Sequence, residues 1–170
     1  MVKLPDINIR TEIQPGDLGM VIHLHGSLYS KEYGFGIGFE TYVAEGLIGF
    51  YRNYNPAKDR AWICEHEGQV IGSIFLVDRC DSAQLRYFII RPKYRSIGLG
   101  KKLMNEYLGY LRIGGYKSSY LWTTSELLAA AALYKRYGFV LSEEKESSLF
   151  GKNVIEQKYV LRNVHPADIQ

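Results

Sequence analysis

A chain of 170 residues, 46% of them hydrophobic, is long enough to bury one substantial core and short for two, so a single domain over 1–170 is expected. With 21 basic against 18 acidic residues the net charge is only +3, which argues against direct nucleic-acid binding through phosphate contacts. The first residues, MVKLPDINIRTEI, scatter charges and hold no apolar signal region, and no stretch reaches the roughly eighteen apolar residues of a membrane span; a soluble, cytoplasmic protein is expected.

INIRTEI, Ile7 to Ile13, alternates apolar and polar residues as a half-buried strand does, and Pro15-Gly16 ends it. Asp17 is placed to cap a helix through LGMVIHLHGSLYSKE. A second helix starts near Ile37, with Phe39, Val43, Leu47, Phe50 and Tyr54 on one face, and NPAKDR breaks it. Three strands follow, RAWICEHE, QVIGSIFLVD and AQLRYFII, joined by turns at Glu67-Gly68 and Asp81-Ser82. Leu99, Leu103, Tyr107 and Leu111 mark a third helix, which Gly114-Gly115 stops. SSYLWTT has the composition of a buried strand. SELLAAAALYKRYG predicts a fourth helix with Ser125 as its cap and Gly138 as the left-handed residue past its end. FVLSEEKESS and VIEQKYVLR are the last two strands. The order predicts an α/β (α+β) fold with a mixed, mostly antiparallel sheet of about seven strands and about four helices.

The segment RPKYRSIGLGKKLM, Arg91 to Met104, sets glycines and cations at the start of the third helix. A helix N-terminus offers unpaired N–H groups at the positive end of its dipole, and Gly98 and Gly100 let an anion approach the backbone. Arg95, Lys101 and Lys102 add positive charge. A diphosphate fits such a site, and so does a plain glycine-rich turn with a solvated basic rim. The dinucleotide-binding GxGxxG pattern and the Gly-Lys-Ser/Thr of a P-loop are both absent.

Arg95-Ser96-Ile97-Gly98-Leu99-Gly100 resembles the acetyl-coenzyme A loop of the GNAT superfamily of N-acetyltransferases, whose pattern is Arg/Gln-x-x-Gly-x-Gly/Ala. ALYKRYGF, Ala132 to Phe139, is similar to that family's later signature, an alanine-rich helix ending in Leu-Tyr-x-x-x-Gly-Phe. The two motifs stand in the family's order, and the likeness covers essentially the whole chain. PGDLGMVIHLHGSLYSKEYGFGIGFETYVA, more narrowly, resembles acetyltransferase domains that follow a MarR-type DNA-binding domain in some bacterial proteins. No winged helix precedes it in this sequence, so DNA regulation is not carried over.

The resemblance implies acetyl transfer from acetyl-coenzyme A to a primary amine by direct attack in a ternary complex, without a metal. It implies that the backbone of Phe88, Ile89 and Ile90 holds the pantetheine arm and that the loop from Arg95 to Gly100, with Lys101, holds the pyrophosphate. Tyr134 matches the family's acid to the leaving thiolate. Where many members carry an Asn near the pantetheine this chain has Thr123-Thr124-Ser125-Glu126, and Ser125 either replaces it or caps the helix. Glu40 is a candidate base or substrate clamp and also fits a solvated helix face. His25, Tyr29 and Tyr33 are candidates for the acceptor channel, with Trp62, Glu65 and His66 behind them; packing in the core accounts for the aromatics equally. Cys64 and Cys80 lack the spacing of a metal pair and read as reduced thiols. The acceptor is a small-molecule or protein amine, and a homodimer is common in proteins of this kind. Two further readings are a coenzyme A-binding sensor with little catalysis and a regulator working with a separate DNA-binding protein.

Overall fold

The computed structural model describes residues 2–162 and 164. In chain order the elements are β1 (Asn8–Arg10), α1 (Asp17–Tyr33), α2 (Ile37–Arg52), β2 (Arg60–His66), β3 (Gln69–Arg79), β4 (Ser82–Ile90), α3 (Leu99–Ile113), β5 (Ser118–Thr124), α4 (Leu128–Arg136), β6 (Val140–Ser147) and β7 (Val154–Arg162). Short 3-10 turns at Leu4–Asp6 and Pro92–Tyr94 complete them. The strands form one seven-stranded sheet in the order β1-β2-β3-β4-β5-β7-β6. All neighbours are antiparallel except β4 and β5, which run parallel because α3 carries the chain back between them. The expected fold class is the observed one.

Two helices cover each face. On one side Val21 and Leu24 of α1 and Phe39, Val43 and Leu47 of α2 pack onto Ile63, Phe75 and Ile89. On the other, Leu99, Leu103, Tyr107 and Leu111 of α3 bury the stripe that their spacing of three and four residues predicts, against Leu76, Leu85 and Leu121. Each fully buried side chain of this size contributes roughly 2 kcal/mol of transfer free energy.

Several local expectations are corrected. The first strand spans only Asn8–Arg10, because beyond it Arg10 turns to the Asp17 carboxylate at 2.6 Å and to Glu65 at 2.9 Å. Asp17 is accordingly the first helical residue rather than the cap; Gly16 holds the cap position at φ +98°, and Asp17 accepts the Gln14 N–H at 2.6 Å. The second helix ends at Arg52, and Tyr54 continues its packing from the loop, 5.3 Å from the Phe50 ring. Glu67-Gly68 forms the first turn as expected, both with positive φ, whereas the second turn centres on Cys80-Asp81, with Cys80 at φ +64°. The fourth helix begins at Leu128, so Ser125 does not cap it; the Ser125 N–H bonds the Ile155 carbonyl at 2.9 Å and prolongs the sheet instead. Gly138, at φ +85°, closes that helix as expected.

Two irregularities in the sheet create the site. The first is a bulge in β4: Ser73 opposes Ile89 and Phe75 opposes Arg86, so two steps along β3 match three along β4. Tyr87 takes φ +51°, and its carbonyl is held by the buried Ser73 hydroxyl at 2.7 Å. Because strand side chains alternate, the extra residue exchanges the faces. Ala83 and Leu85 join the core under α3 and α4, whereas Tyr87 and Ile89 join the core under α1 and α2. The second irregularity is a split. β4 and β5 pair only from Ser82↔Ser118 to Gln84↔Tyr120, and beyond that point they part.

Candidate active site

The split opens a cavity of about 110 Å³ that passes between the two faces of the sheet. From the side of α1 and α2 it is walled by His25, Tyr29, Phe35, Phe39 and Tyr42, with Phe150 from the β6–β7 loop; from the other side Phe88, Leu127 and Tyr134 reach it. Phe150 is buried because the loop that carries it is pinned to the α1–α2 turn. Gly36 N–H bonds the Phe150 carbonyl at 2.7 Å, and the Lys152 ammonium bonds the Tyr33 carbonyl at 2.9 Å and the Glu126 carboxylate at 2.6 Å. Gly38 is required here, since a Cβ on it would lie 2.8 Å from the Leu149 carbonyl oxygen.

Tyr134 lies deep, 6% exposed, among Phe88, Phe139 and Tyr159. Desolvation pushes its phenol well above the ordinary tyrosine range, so it stays protonated and able to donate at neutral pH. His25 is buried, stacked on Tyr29 with centroids 5.7 Å apart, and its Nδ1–H donates to the Val21 carbonyl at 2.8 Å. Burial first, and the Arg86 charge besides, lower it to about 4, so the imidazole is neutral. Tyr29 is likewise held protonated by burial.

At the start of α3, Ser96 takes φ +65° and Gly98 φ +91°, and residues of this conformation turn successive backbone N–H groups into a concave nest. A side chain on Gly100 would meet only ordinary contacts, the nearest being the Ile90 methyl at 3.6 Å, so protein packing does not demand that glycine. Ile97 packs partly against the core and Leu99 is buried, which leaves their backbone as what they can offer. The Arg95 guanidinium is engaged elsewhere: it forks onto Glu32 with two bonds of 2.9 Å, and its Nε donates to the Ile90 carbonyl at 2.9 Å. Lys102 pairs with Glu106, and Lys101 is exposed on the first turn.

Other candidates lie apart from the cavity. Glu40 packs its carboxylate on Gly26 of α1, where the glycine makes the room, and does not line the cavity. Tyr33 and Ser125 do not line it either. Trp62 is in the core beside Tyr107 and Tyr110; Glu65 is bound to Arg10, and His66 lies 3.1 Å from the Tyr94 hydroxyl. Cys64 is buried, with its thiol pushed up to about 12, and Cys80 is exposed in a turn, so neither thiol lines the cavity. Among the described residues, no group of His, Cys, Asp and Glu could hold a metal ion, and no helix is long and apolar enough to cross a membrane.

Among the lining residues to which the sequence assigned no role are Glu156, Arg86, Tyr87, Thr123 and Thr124. Glu156 is the one carboxylate among the lining residues and is only 7% exposed. Its Oε2 lies 3.7 Å from the Lys145 ammonium, and its Oε1 has no hydrogen-bond partner among the described residues. The sequence held no clear signal for it: in VIEQKYV both Val154 and Ile155 are apolar, and it is the fold that buries Val154, with Glu156 two residues on, and exposes Ile155.

A sheet split between two parallel strands, with an amide nest at the helix behind the split and a protonated tyrosine in the opening, is the frame of an acyl-coenzyme A-dependent acyltransferase. Residues 57–141 match the family model of the acetyltransferase (GNAT) domain, and the chain belongs to that family. It is 30% identical to an uncharacterised N-acetyltransferase of Schizosaccharomyces pombe, over 84% of this chain and 88% of the relative. A GNAT-family acetyltransferase of Staphylococcus aureus superposes with a TM-score of 0.74 at 21% identity, covering 93% of this chain and 99% of that one. The spermidine N-acetyltransferase of Vibrio cholerae, solved with coenzyme A and spermine, superposes with a TM-score of 0.69 at 22% identity, over 94% and 96%. The protein is thus an acetyl-coenzyme A-dependent acyltransferase that transfers acetyl to an amine. The narrower likeness to domains fused to MarR-type regulators rests on the sequence motif alone.

Proposed function

We propose that acetyl-coenzyme A enters along the unpaired edge of β4, and that a primary amine reaches it through the aromatic side of the cavity for direct attack. The nest at Ser96–Gly100 fits the pyrophosphate, with the backbone amides of Ser96 to Gly100 as donors and Lys101 as a nearby charge; the Arg95 amide is already bonded to the Pro92 carbonyl at 3.1 Å. The positive φ at Ser96 and Gly98 supports this, because it turns the backbone amides of the loop toward one side. Phe88, Ile89 and Ile90 supply backbone groups where β4 has no partner strand on the β5 side, and an N–H there stabilises the oxygen that gains charge during attack.

When bound, acetyl-coenzyme A supplies an activated acyl carbon. In the transfer the amine nitrogen bonds that carbon, the carbon–sulfur bond breaks and the sulfur takes the Tyr134 proton, while the amine gives a proton to solvent, from which the Tyr134 phenolate takes one back. The observation that carries this reading is Tyr134 itself: a phenol kept protonated by burial, reaching from behind the sheet into the cavity that opens toward α1 and α2. Both cysteines lie outside that cavity, which favours direct attack over an acyl-cysteine intermediate.

Tyr134→Phe tests it. With acetyl-coenzyme A saturating and free thiol followed at pH 7, kcat should fall about a hundredfold, at the low end of general-acid effects. Acetyl-coenzyme A affinity by calorimetry should change less than about twofold, since the ring remains. An unchanged kcat where chemistry limits the rate removes Tyr134 from the mechanism, and an absence of acetyl-coenzyme A binding by the unaltered protein removes the binding scheme.

A further inference from the structure

Apart from the groups used for transfer, the cavity holds a second set of polar groups, and they share one property. Glu156 Oε1, Thr124 Oγ1, Thr123 Oγ1 and the Tyr87 hydroxyl are buried without a hydrogen-bond partner among the described residues. Four such atoms around one cavity is a concentration that folding alone does not favour, because each buried unpartnered polar group costs roughly 1–3 kcal/mol. Thr124 and Glu156 are direct cross-strand partners on β5 and β7, so the hydroxyl and the carboxylate stand side by side on the face toward α2.

The opposite wall carries a cation. Arg86 sits at the β4 bulge, half-buried, with no carboxylate within ion-pair distance among the described residues. Its guanidinium packs over the Tyr87 ring at 4.7 Å and the Tyr42 ring at 5.7 Å. It lies against Gly46 of α2, where a Cβ would fall 2.8 Å from the guanidinium and 2.6 Å from the Tyr87 hydroxyl, so the glycine makes the room that both groups occupy beside the helix. The bulge is what brings them together. It turns Tyr87 to the same face as Arg86, where a regular strand would send it to the other side.

A polyamine acceptor places a second ammonium near Arg86, and like charges in a desolvated cavity repel. A plain monoamine leaves the guanidinium and the Tyr87 hydroxyl without a partner. We infer that the acceptor carries a carboxylate beside its amine: Glu156 and Thr124 receive the ammonium, Arg86 and Tyr87 receive the carboxylate, and the substrate is an α-amino acid or a similar compact zwitterion. The scale agrees. β4 lies two strands from β7, on the order of 10 Å at ordinary strand spacing, and the split widens it. Two side chains with a short amino acid between them cover such a span. The cavity volume of about 110 Å³ suits a compact molecule, whose side chain the rings of Phe35, Phe39 and Phe150 would enclose. This inference names the acceptor of the transfer reading and rests on it.

The test compares alanine, leucine and phenylalanine with their amides and with ethylamine, 3-methylbutylamine and 2-phenylethylamine. Thiol release from acetyl-coenzyme A is followed for each, and calorimetry measures binding of the same compounds without the acyl donor. The expected result is at least a tenfold larger kcat/KM for one or more amino acids than for the matching amide and amine. Arg86→Gln should abolish that preference by weakening the amino acid alone, and Glu156→Gln should weaken every amine. An amide or amine that matches its amino acid, or a preference that survives Arg86→Gln, overturns the proposal. If no compound releases thiol, the calorimetry decides the zwitterion site separately from the transfer step: it is upheld by amino-acid binding that Arg86→Gln and Glu156→Gln each weaken, and overturned by no such binding.

Discussion

The two ends of β5 treat their hydroxyl groups differently. At its beginning the strand is bonded to β4 and β7, and the fully buried Ser119 hydroxyl is paired with the Tyr107 hydroxyl at 2.8 Å. Four residues on, β4 has departed, and the buried hydroxyls of Thr123 and Thr124 have no partner among the described residues. The same strand, with residues of the same chemical kind, is finished at one end and open at the other. Protein interiors satisfy buried polar groups wherever packing allows, so the open end reads as a place where packing yields to a ligand.

The largest expected effect concerns His25, beside the open end. Its imidazole is lowered from 6.5 to about 4, chiefly by burial. The unfolded chain therefore binds a proton that the folded one refuses, so stability is full above pH 6.5 and falls as pH drops toward 4. The limiting loss is about 3 kcal/mol, because each tenfold difference in proton affinity between the two states is worth about 1.4 kcal/mol. Urea unfolding of the protein and of His25→Gln between pH 7.5 and pH 4.5 should show this dependence in the first and a flatter curve in the second. Parallel curves would mean that water reaches the imidazole and that this wall of the cavity is not dry.

At the finished end, Tyr107→Phe leaves the buried Ser119 hydroxyl without its partner and should cost roughly 1–2 kcal/mol. The double variant Tyr107→Phe/Ser119→Ala should recover part of that loss, because removing both partners leaves no polar group unsatisfied. A double variant no more stable than Tyr107→Phe would show that the cost lies in packing instead of the hydrogen bond.

The same contrast governs what could be read from the sequence. The nest, Tyr134 and the helix stripes were legible because each is set by residues adjacent in sequence: glycines at a helix start, a Leu-Tyr before a Gly-Phe, an apolar period. The cavity wall was not. Ala83, Leu85, Tyr87 and Ile89 alternate as a single buried face, yet the bulge sends the first pair to one core and the second pair to the other. Nothing in the pattern of AQLRYFII marks that slip, which depends on Ser73 holding the Tyr87 carbonyl from the neighbouring strand. Ser125 misled for a related reason: the β5–β7 ladder took its N–H and delayed the helix by two residues. Arg95, expected to face the anion with its side chain, is drawn to Glu32 on a helix 63 residues away in sequence.

The smallest effect is the sharpest discriminator between the two ends. Thr124→Val keeps the shape of a side chain that is 5% exposed and removes a hydroxyl with no partner. No hydrogen bond is lost, so stability should change by less than about 0.5 kcal/mol or rise slightly, in contrast to the Tyr107→Phe loss at the other end. Acceptor KM should nevertheless increase, roughly fivefold for about 1 kcal/mol of lost hydrogen bonding, while acetyl-coenzyme A affinity stays unchanged. Denaturant midpoints and steady-state kinetics on one preparation give both numbers. A destabilisation comparable to that of Tyr107→Phe would reveal that the Thr124 hydroxyl is satisfied within the fold, and the open end of β5 would then be as closed as its beginning.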